Sequence, residues 1–176
     1  MSHDPQHKSD AEKVVDIVRD AGGKLVGRTR LQKTAYLLEL AGFGEGFPFE
    51  YRHYGPYSEE LANAVLNARL RDLLNEDECP TSWGGFYSIF STEKALDEQR
   101  SPERCALASR SADADPIELE LAATAAFLFS KGESAAWEET AKRKPEKAKD
   151  GRLEKAKTLY ASLRSIPTPK PLPDIK

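Results

Sequence analysis

Two short segments in the first third of the chain constrain its fold most. Residues 29–38 (TRLQKTAYLL) join a helix-capping threonine to apolar side chains on nearly every face, a pattern typical of a helix buried on all sides. In residues 49–58 (FEYRHYGPYS), Phe49, Tyr51 and His53 recur at the two-residue period of a strand before Gly55-Pro56 and a capping serine. Together the segments predict a central helix, then a strand, a rigid turn and a further helix.

Length and composition predict one domain. The 176 residues, 39% of them hydrophobic, are enough to bury a core of ordinary size. We expect the folded domain to span residues 10–165, after a disordered polar leader at residues 1–9. Residues 166–176 carry four prolines (Pro167, Pro169, Pro171, Pro173), so this segment is expected to be extended or disordered.

Local signals predict several helices. Helix starts are indicated by four capping patterns: Ser9 with Glu12, Thr29 with Gln32, Ser101 before Pro102, and Asp115 before Pro116. The helix that begins at Asp115-Pro116 carries Leu119, Ala122, Ala123, Ala126 and Phe127 and should be buried. Pro145 should interrupt a later helix, because proline lacks the amide donor and crowds the preceding turn.

Strand signals are few. The aromatic run Phe86–Phe90 predicts a short strand that pairs with the one at residues 49–53, whereas residues 76–85 look like a loop. The fold class is therefore mainly α with a small antiparallel β-sheet (α+β), in a single compact helical domain. Two helices joined by a glycine-containing turn, with strands that would form a wing, also suggest a winged-helix arrangement in the N-terminal half.

Charge and cysteine content exclude several function classes. A net charge of -3 and a pI near 5.7 give no overall attraction to nucleic acid, so contact with it would need a local basic patch. Cys79 and Cys105 are isolated, which argues against a disulfide framework or a zinc site. The polar start lacks an apolar signal core, and no apolar run reaches the ~18 residues of a membrane helix. We expect a cytoplasmic protein.

The sequence predicts no active site, cofactor or metal centre. His53, beside Tyr54, Tyr57 and Ser58, is the one cluster with catalytic residue types, and it supports a hydrolase as a distant third hypothesis. No third residue to orient the histidine is evident, and Ser58 is explained as a helix cap, so the structural interpretation is favoured. His3 and His7 lie in the polar leader and would bind a metal only adventitiously.

Two basic groups leave alternatives open. Residues 142–157 contain eight lysines and arginines against three acids, which fits either a solvated helix face or a patch for an acidic partner. Arg30 and Lys33 lie near the start of the apolar helix, where a winged-helix protein would read DNA. The acidic chain and the lack of a polar helix face argue against that role.

The motif residues resemble a known family. Arg30-Leu31-Gln32-Lys33 followed by Tyr36-Leu37, and then Tyr54-Gly55-Pro56-Tyr57-Ser58 with Leu61, are similar to the pattern of the SocA-like antitoxin family, also called the Panacea domain, and its YwgA-like relatives. The distal helices to Leu163 are similar to the second half of that family. The resemblance implies a helical domain that holds a partner toxin inactive, without catalytic residues, and that has a role in toxin–antitoxin systems and phage defence.

We therefore predict a non-enzymatic, protein-binding antitoxin or adaptor, with a winged-helix transcriptional regulator as the alternative. Arginines and exposed aromatic residues contribute much of the binding energy at interfaces. The candidate contact residues are Arg30, Lys33, Arg52, Tyr54, Tyr57, Lys142, Arg143 and Lys144.

Overall fold

The computed structural model describes residues 7–95 and 97–176, so most of the predicted leader at residues 1–9 lies outside the described part. Eight helices form in the described residues: α1 Asp10–Asp20, α2 Arg28–Leu40, α3 Glu59–Leu70, α4 Pro102–Ala112, α5 Pro116–Ser130, α6 Ala136–Arg143, α7 Pro145–Ala148 and α8 Arg152–Arg164. Five strands accompany them: β1 Lys24–Val26, β2 Glu50–Arg52, β3 Gly55–Tyr57, β4 Asn75–Pro80 and β5 Phe86–Ser91. The mainly α fold with a small antiparallel sheet is confirmed.

Most of the helix starts agree with the capping signals. Ser9 and Glu12 form the reciprocal capping box of α1, and Ser101 and Asp115 cap α4 and α5 ahead of their prolines. The predicted box at Thr29 is wrong, because α2 begins two residues earlier, at Arg28 after Gly27, and has no side-chain cap. Gln32 is therefore free to bond elsewhere.

The strands pair differently from the prediction. The main sheet has the order β1-β5-β4, all antiparallel, with Leu25 opposite Phe90 and Asp77 opposite Ile89. Residues 75–80 are thus a strand, although polar composition indicated a loop. β2 pairs instead with β3 in a separate two-stranded hairpin, so the predicted pairing of residues 86–90 with residues 49–53 is wrong.

The order of elements α1-β1-α2-α3-β4-β5, with β5 between β1 and β4, is that of a winged helix. The hairpin β2–β3 is inserted between α2 and α3. In this arrangement α3, and not α2, is the helix that precedes the β4–β5 hairpin.

The core surrounds α5. This helix packs against α2, α6, α7, α8 and β3, and its residues from Leu119 to Leu128 are all buried, as the apolar pattern predicted. α2 is buried continuously from Leu31 to Leu38, in agreement with its nearly uniform apolar surface. None of the helices in the described parts of the chain is both long and apolar enough to span a bilayer.

The proline-rich segment at residues 166–176 is ordered against the core, without helix or strand. Ile166, Leu172 and Ile175 are buried, and the amide of Lys170 donates to the carbonyl of Ala41 at 3.0 Å. The predicted domain boundary at residue 165 is therefore too short. Disorder is excluded for this segment because its apolar side chains reach the core.

Candidate partner-binding surface

Residues 29–38 and residues 49–58 contact each other at one site in the interior. The side-chain amide of Gln32 donates to the carbonyl of Ser58 at 2.9 Å, and its oxygen accepts from the amide of Ser58 at 2.8 Å. Both groups are buried, and buried backbone groups are costly when they lack partners. Gln32 thus fixes the chain where the inserted hairpin ends and α3 begins.

Lys33 binds the backbone of the same hairpin from the interior of the fold. Its ammonium donates to the carbonyl of Pro56 at 2.7 Å, and the residue is only 1% exposed. Burial lowers the pKa of Lys33 to about 7, with the Glu120 carboxylate opposing the shift. The lysine therefore serves the interior as a hydrogen-bond donor to the hairpin backbone.

A second buried lysine binds the other end of the turn. Lys144 donates to the carbonyl of His53 at 3.0 Å and to the Glu120 carboxylate at 2.9 Å. Lys147 reaches the second oxygen of Glu120 at 2.6 Å. Glu120 on α5 and Lys144 after α6 thus connect the hairpin to the distal half of the chain.

Gly55 lies where no side chain fits. Its φ is +85°, and a Cβ built on it would come within 2.4 Å of the Thr124 hydroxyl on α5. Both the left-handed backbone and the close approach require glycine here. Gly55 and Pro56 begin strand β3, and the turn of the hairpin lies at His53 and Tyr54, so the predicted rigid turn at Gly55-Pro56 is wrong.

The exposed rings of this hairpin, which we call the motif hairpin (residues 50–57), are covered by cations. The guanidinium of Arg143 lies 4.9 Å from the centre of the Tyr51 ring, Lys147 lies 4.6 Å from Tyr54, and Arg52 lies 5.0 Å from Tyr57. Cation–π contacts of this kind are favourable even at exposed sites. Each ring thus has a cation of the same chain over it, although Tyr54 remains 55% exposed.

The predicted contact residues consequently divide into two groups. Lys33 and Lys144 are buried, so their assignment to a partner-binding surface is wrong. Arg30 is half-buried and donates to the carbonyls of Ala114 and Val26, which gives it a role inside the fold. The remaining residues are exposed or half-exposed: Arg52, Tyr54, Tyr57, Lys142 and Arg143.

His53 has no catalytic neighbourhood. The residue is exposed, and its ring lies edge to face with that of Tyr54, with centroids 4.9 Å apart. Its side chain makes no hydrogen bond to any described residue. Nor do the residues at 7–95 and 97–176 include a group of three or more His, Cys, Asp or Glu side chains arranged to hold a metal. Ser58 caps α3 through the amide of Leu61, as predicted.

A second hairpin, β4–β5, projects beside α3, and we call it the wing (residues 75–91). Its base is fixed by Glu76, whose buried carboxylate accepts from Ser88 at 2.5 Å, from Arg28 at 2.9 Å and from Arg69 at 2.7 Å. At its tip, the amide of Thr81 donates to the carbonyl of Gly85 at 2.8 Å. The wing is therefore a preorganised element tied to α2 and α3.

Large apolar side chains of the wing face solvent. Trp83 is 83% exposed and Phe86 is 71% exposed, with Tyr87 less so, and no ring among the described residues stacks on them. On the adjoining helix, Leu66 and Leu70 are exposed one turn apart. We define the wing face as Leu66, Trp83, Phe86 and Tyr87.

The wing face adjoins two surface cavities. One, of about 670 Å³, is lined by Trp83, Phe86 and Arg28. The other, of about 250 Å³, is lined by Leu66, Tyr57 and again Arg28, so the two lie side by side. Side chains of both charges border this surface, because Arg28 lines both cavities and Glu78 lines the larger one.

Sequence reasoning missed the wing face. A usable signal was present, because Trp83 stands before Gly84-Gly85 at a turn, where a large apolar side chain has no core to reach. Contiguous exposed apolar surface marks interaction sites in folded proteins.

Comparisons with protein-family models, with curated proteins and with solved structures find no match for this chain.

Proposed function

We propose that this protein is a non-enzymatic, protein-binding antitoxin or adaptor that holds a partner toxin, encoded beside it, through the wing face. The observation that carries the proposal is the group of exposed aromatic side chains on a rigid hairpin. Trp83 and Phe86 are more than two-thirds exposed, although each would bury substantial apolar area against a partner. Aromatic anchors of this kind dominate the binding energy of protein interfaces.

Charges of both signs surround the wing face. Arg28 lines both cavities, Glu78 lines the larger one and Arg69 lines the smaller one. A complementary surface would be apolar in the middle and carry charges of both signs at its rim, since opposite potentials speed association and exclude wrong partners. The wing tip is held by its own hydrogen bonds, so little ordering free energy is lost on binding.

Co-expression with the product of the adjacent reading frame tests this function. We expect that product to arrest growth when expressed alone and the wild-type chain to relieve the arrest. Replacement of Trp83→Ser and Phe86→Ser together should abolish the relief and weaken binding of the purified proteins at least about a hundredfold, because two central anchors are lost. The matched control is Tyr54→Ser, which removes one exposed ring from the motif hairpin and should leave both readouts unchanged.

Two outcomes would contradict the proposal. If the neighbouring product neither arrests growth nor binds this chain, the antitoxin role fails. If it binds and the Trp83→Ser, Phe86→Ser variant binds equally well, the wing face is the wrong surface.

The winged-helix order of elements favours DNA binding as a second candidate. The charges oppose it, because α3 presents Glu59 and Glu60 at the end that would enter the groove, and Leu66 and Leu70 on its outer face. Titration of promoter DNA across a salt series tests this function. Specific binding that weakens steeply with salt would support a regulator, and binding no stronger than that of unrelated DNA would exclude one.

A further inference from the structure

The proline-rich segment reaches the core through three apolar side chains. Ile166, Leu172 and Ile175 are buried, and residues 171–176 continue without helix, strand or bend after bends at residues 169 and 170. Pro169 is exposed but passes close to Gly42, where its Cβ would be 3.2 Å from a Cβ added to the glycine. The end of the segment, from Leu172 to Ile175, is thus the part that packs on the core.

Side chains of α6 and α8 hold this segment by its backbone. The Tyr160 hydroxyl donates to the carbonyl of Pro173 at 2.7 Å, and the Trp137 indole donates to that of Ile175 at 3.4 Å. Arg164 donates to the carbonyl of Leu172 at 3.2 Å and pairs with Asp174 at 3.1 Å. Three side chains therefore bind three carbonyls of one extended stretch.

The two aromatic residues form the wall of a groove. The rings of Trp137 and Tyr160 meet edge to face, with centroids 5.9 Å apart, and both residues are buried beneath the segment. Paired aromatic rings that donate to backbone carbonyls are the means by which grooves recognise polyproline II ligands. The segment leaves part of the groove open, since a cavity of about 270 Å³ remains beside Ile175 between Trp137 and Leu153.

We propose that the groove between α6 and α8 is a binding site for extended, proline-containing peptides and that residues 166–176 are its resident occupant. A partner segment of the same chemistry takes their place: prolines alternating with other residues, two apolar residues three positions apart, and an acid that faces Arg164. Because the three donors bind backbone carbonyls, the groove accepts any segment that keeps this conformation and spacing. This surface is separate from the wing face and does not depend on the proposed function.

Displacement is tested with a synthetic peptide of residues 166–176, whose binding to the full chain is followed by tryptophan fluorescence. The chain carries Trp83→Phe, so that Trp137 is the only tryptophan that reports binding. In the unmodified chain the resident segment competes at an effective concentration on the order of millimolar, which makes the peptide bind weakly. Replacement of Leu172→Asp and Ile175→Asp in the chain should loosen the resident segment and tighten peptide binding at least about tenfold. A peptide with the same two aspartates is the control and should not bind.

A second variant examines the donors. Trp137→Phe keeps a ring in the groove and removes the indole donor, so peptide affinity for the loosened chain should fall about fivefold, the effect of one hydrogen bond. Because that variant lacks the reporting tryptophan, a dye on the peptide replaces tryptophan fluorescence as the readout. Equal affinity with and without the indole donor would contradict the assigned backbone recognition.

Hydrogen exchange of the unmodified protein gives a test that needs no substitution. The Lys170 amide, bonded to Ala41, should exchange at least about a hundredfold faster than the amides of α5, because displacement requires the segment to open while the core stays folded. Equal protection would mean that the segment leaves only when the whole protein unfolds, and would overturn the proposal. Failure of the peptide to bind the loosened chain would overturn it as well.

Discussion

The two hairpins of this protein carry similar residues and use them in opposite ways. In the motif hairpin, Tyr51, Tyr54 and Tyr57 are each covered by a cation, and the backbone is held by buried side chains. In the wing, Trp83 and Phe86 have no such cover, although the strands beneath them are equally well anchored. Aromatic content alone therefore does not identify a binding surface, because rings that the chain itself covers are not available to a partner.

The difference also separates residues that stabilise the fold from residues that would bind a partner. Gln32, Lys33 and Gly55 hold the motif hairpin in place, so their substitution should affect stability. The wing residues should affect binding and leave stability unchanged.

Gly55→Ala should destabilise the protein by about 3 kcal/mol, because alanine is strained at a positive φ and its Cβ would overlap the Thr124 hydroxyl. Thr124→Ala should cost less than about 1 kcal/mol, since this hydroxyl is buried without a hydrogen-bond partner. In the double variant the overlap is gone and about half of the loss should be recovered. Urea unfolding of the four proteins measures the coupling, and simple additivity would show that the close approach is not what requires glycine.

Lys33 should make stability depend on pH. Its pKa is about 7 in the folded protein and near its ordinary value of 10.5 in the unfolded chain, so the unfolded state binds more protons between these limits and stability rises with pH. The free energy of unfolding should increase by about 2 kcal/mol between about pH 7 and about pH 9. The free energy of unfolding stops rising above the pKa that Lys33 has in the unfolded chain, and it does not rise below the pKa that Lys33 has in the folded protein.

Lys33→Met is the control for this dependence, because it removes the titration and keeps much of the side-chain volume. Urea unfolding at each pH should give the variant a flatter profile than the wild type. Parallel profiles would mean that Lys33 stays protonated in the folded protein and that other groups cause any slope.

The smallest effect is expected in the wing. Trp83→Ser with Phe86→Ser should change the free energy of unfolding by less than about 0.5 kcal/mol, because both side chains lie in solvent. The matched change in the motif hairpin, Tyr51→Ser, should cost about 2 kcal/mol, since this ring packs against Phe127 and under Arg143. Thermal unfolding of both variants compares them, and similar losses would remove the distinction between the hairpins.

Much of the fold could be predicted from local pattern. The caps at Ser9, Ser101 and Asp115, the burial of α5 and the interruption at Pro145 depend on neighbouring residues, and each agrees with the structure. β4 was missed because its residues Asn75–Pro80 are polar, and they form a strand only because β5 supplies their hydrogen bonds. The prediction that Thr29 caps α2 failed because the helix starts earlier, at Arg28.

The candidate surface was much harder to predict. Lys33 and Lys144 were assigned to the surface because lysines are rarely buried without a partner, and their partners, the carbonyls of Pro56 and His53, are distant in sequence. Trp83 and Phe86 were overlooked because aromatic residues are usually buried.

Local sequence pattern was sufficient for the starts of α1, α4 and α5, the burial of α5 and the interruption at Pro145. These properties depend on side-chain spacing, capping and allowed backbone angles, which act within a few residues. Only the tertiary structure decided which charges are buried, which aromatic rings are covered and where the proline-rich segment lies. Those outcomes depend on contacts such as Lys144 with His53 and Tyr160 with Pro173, which form only when the folded chain brings helices and loops together.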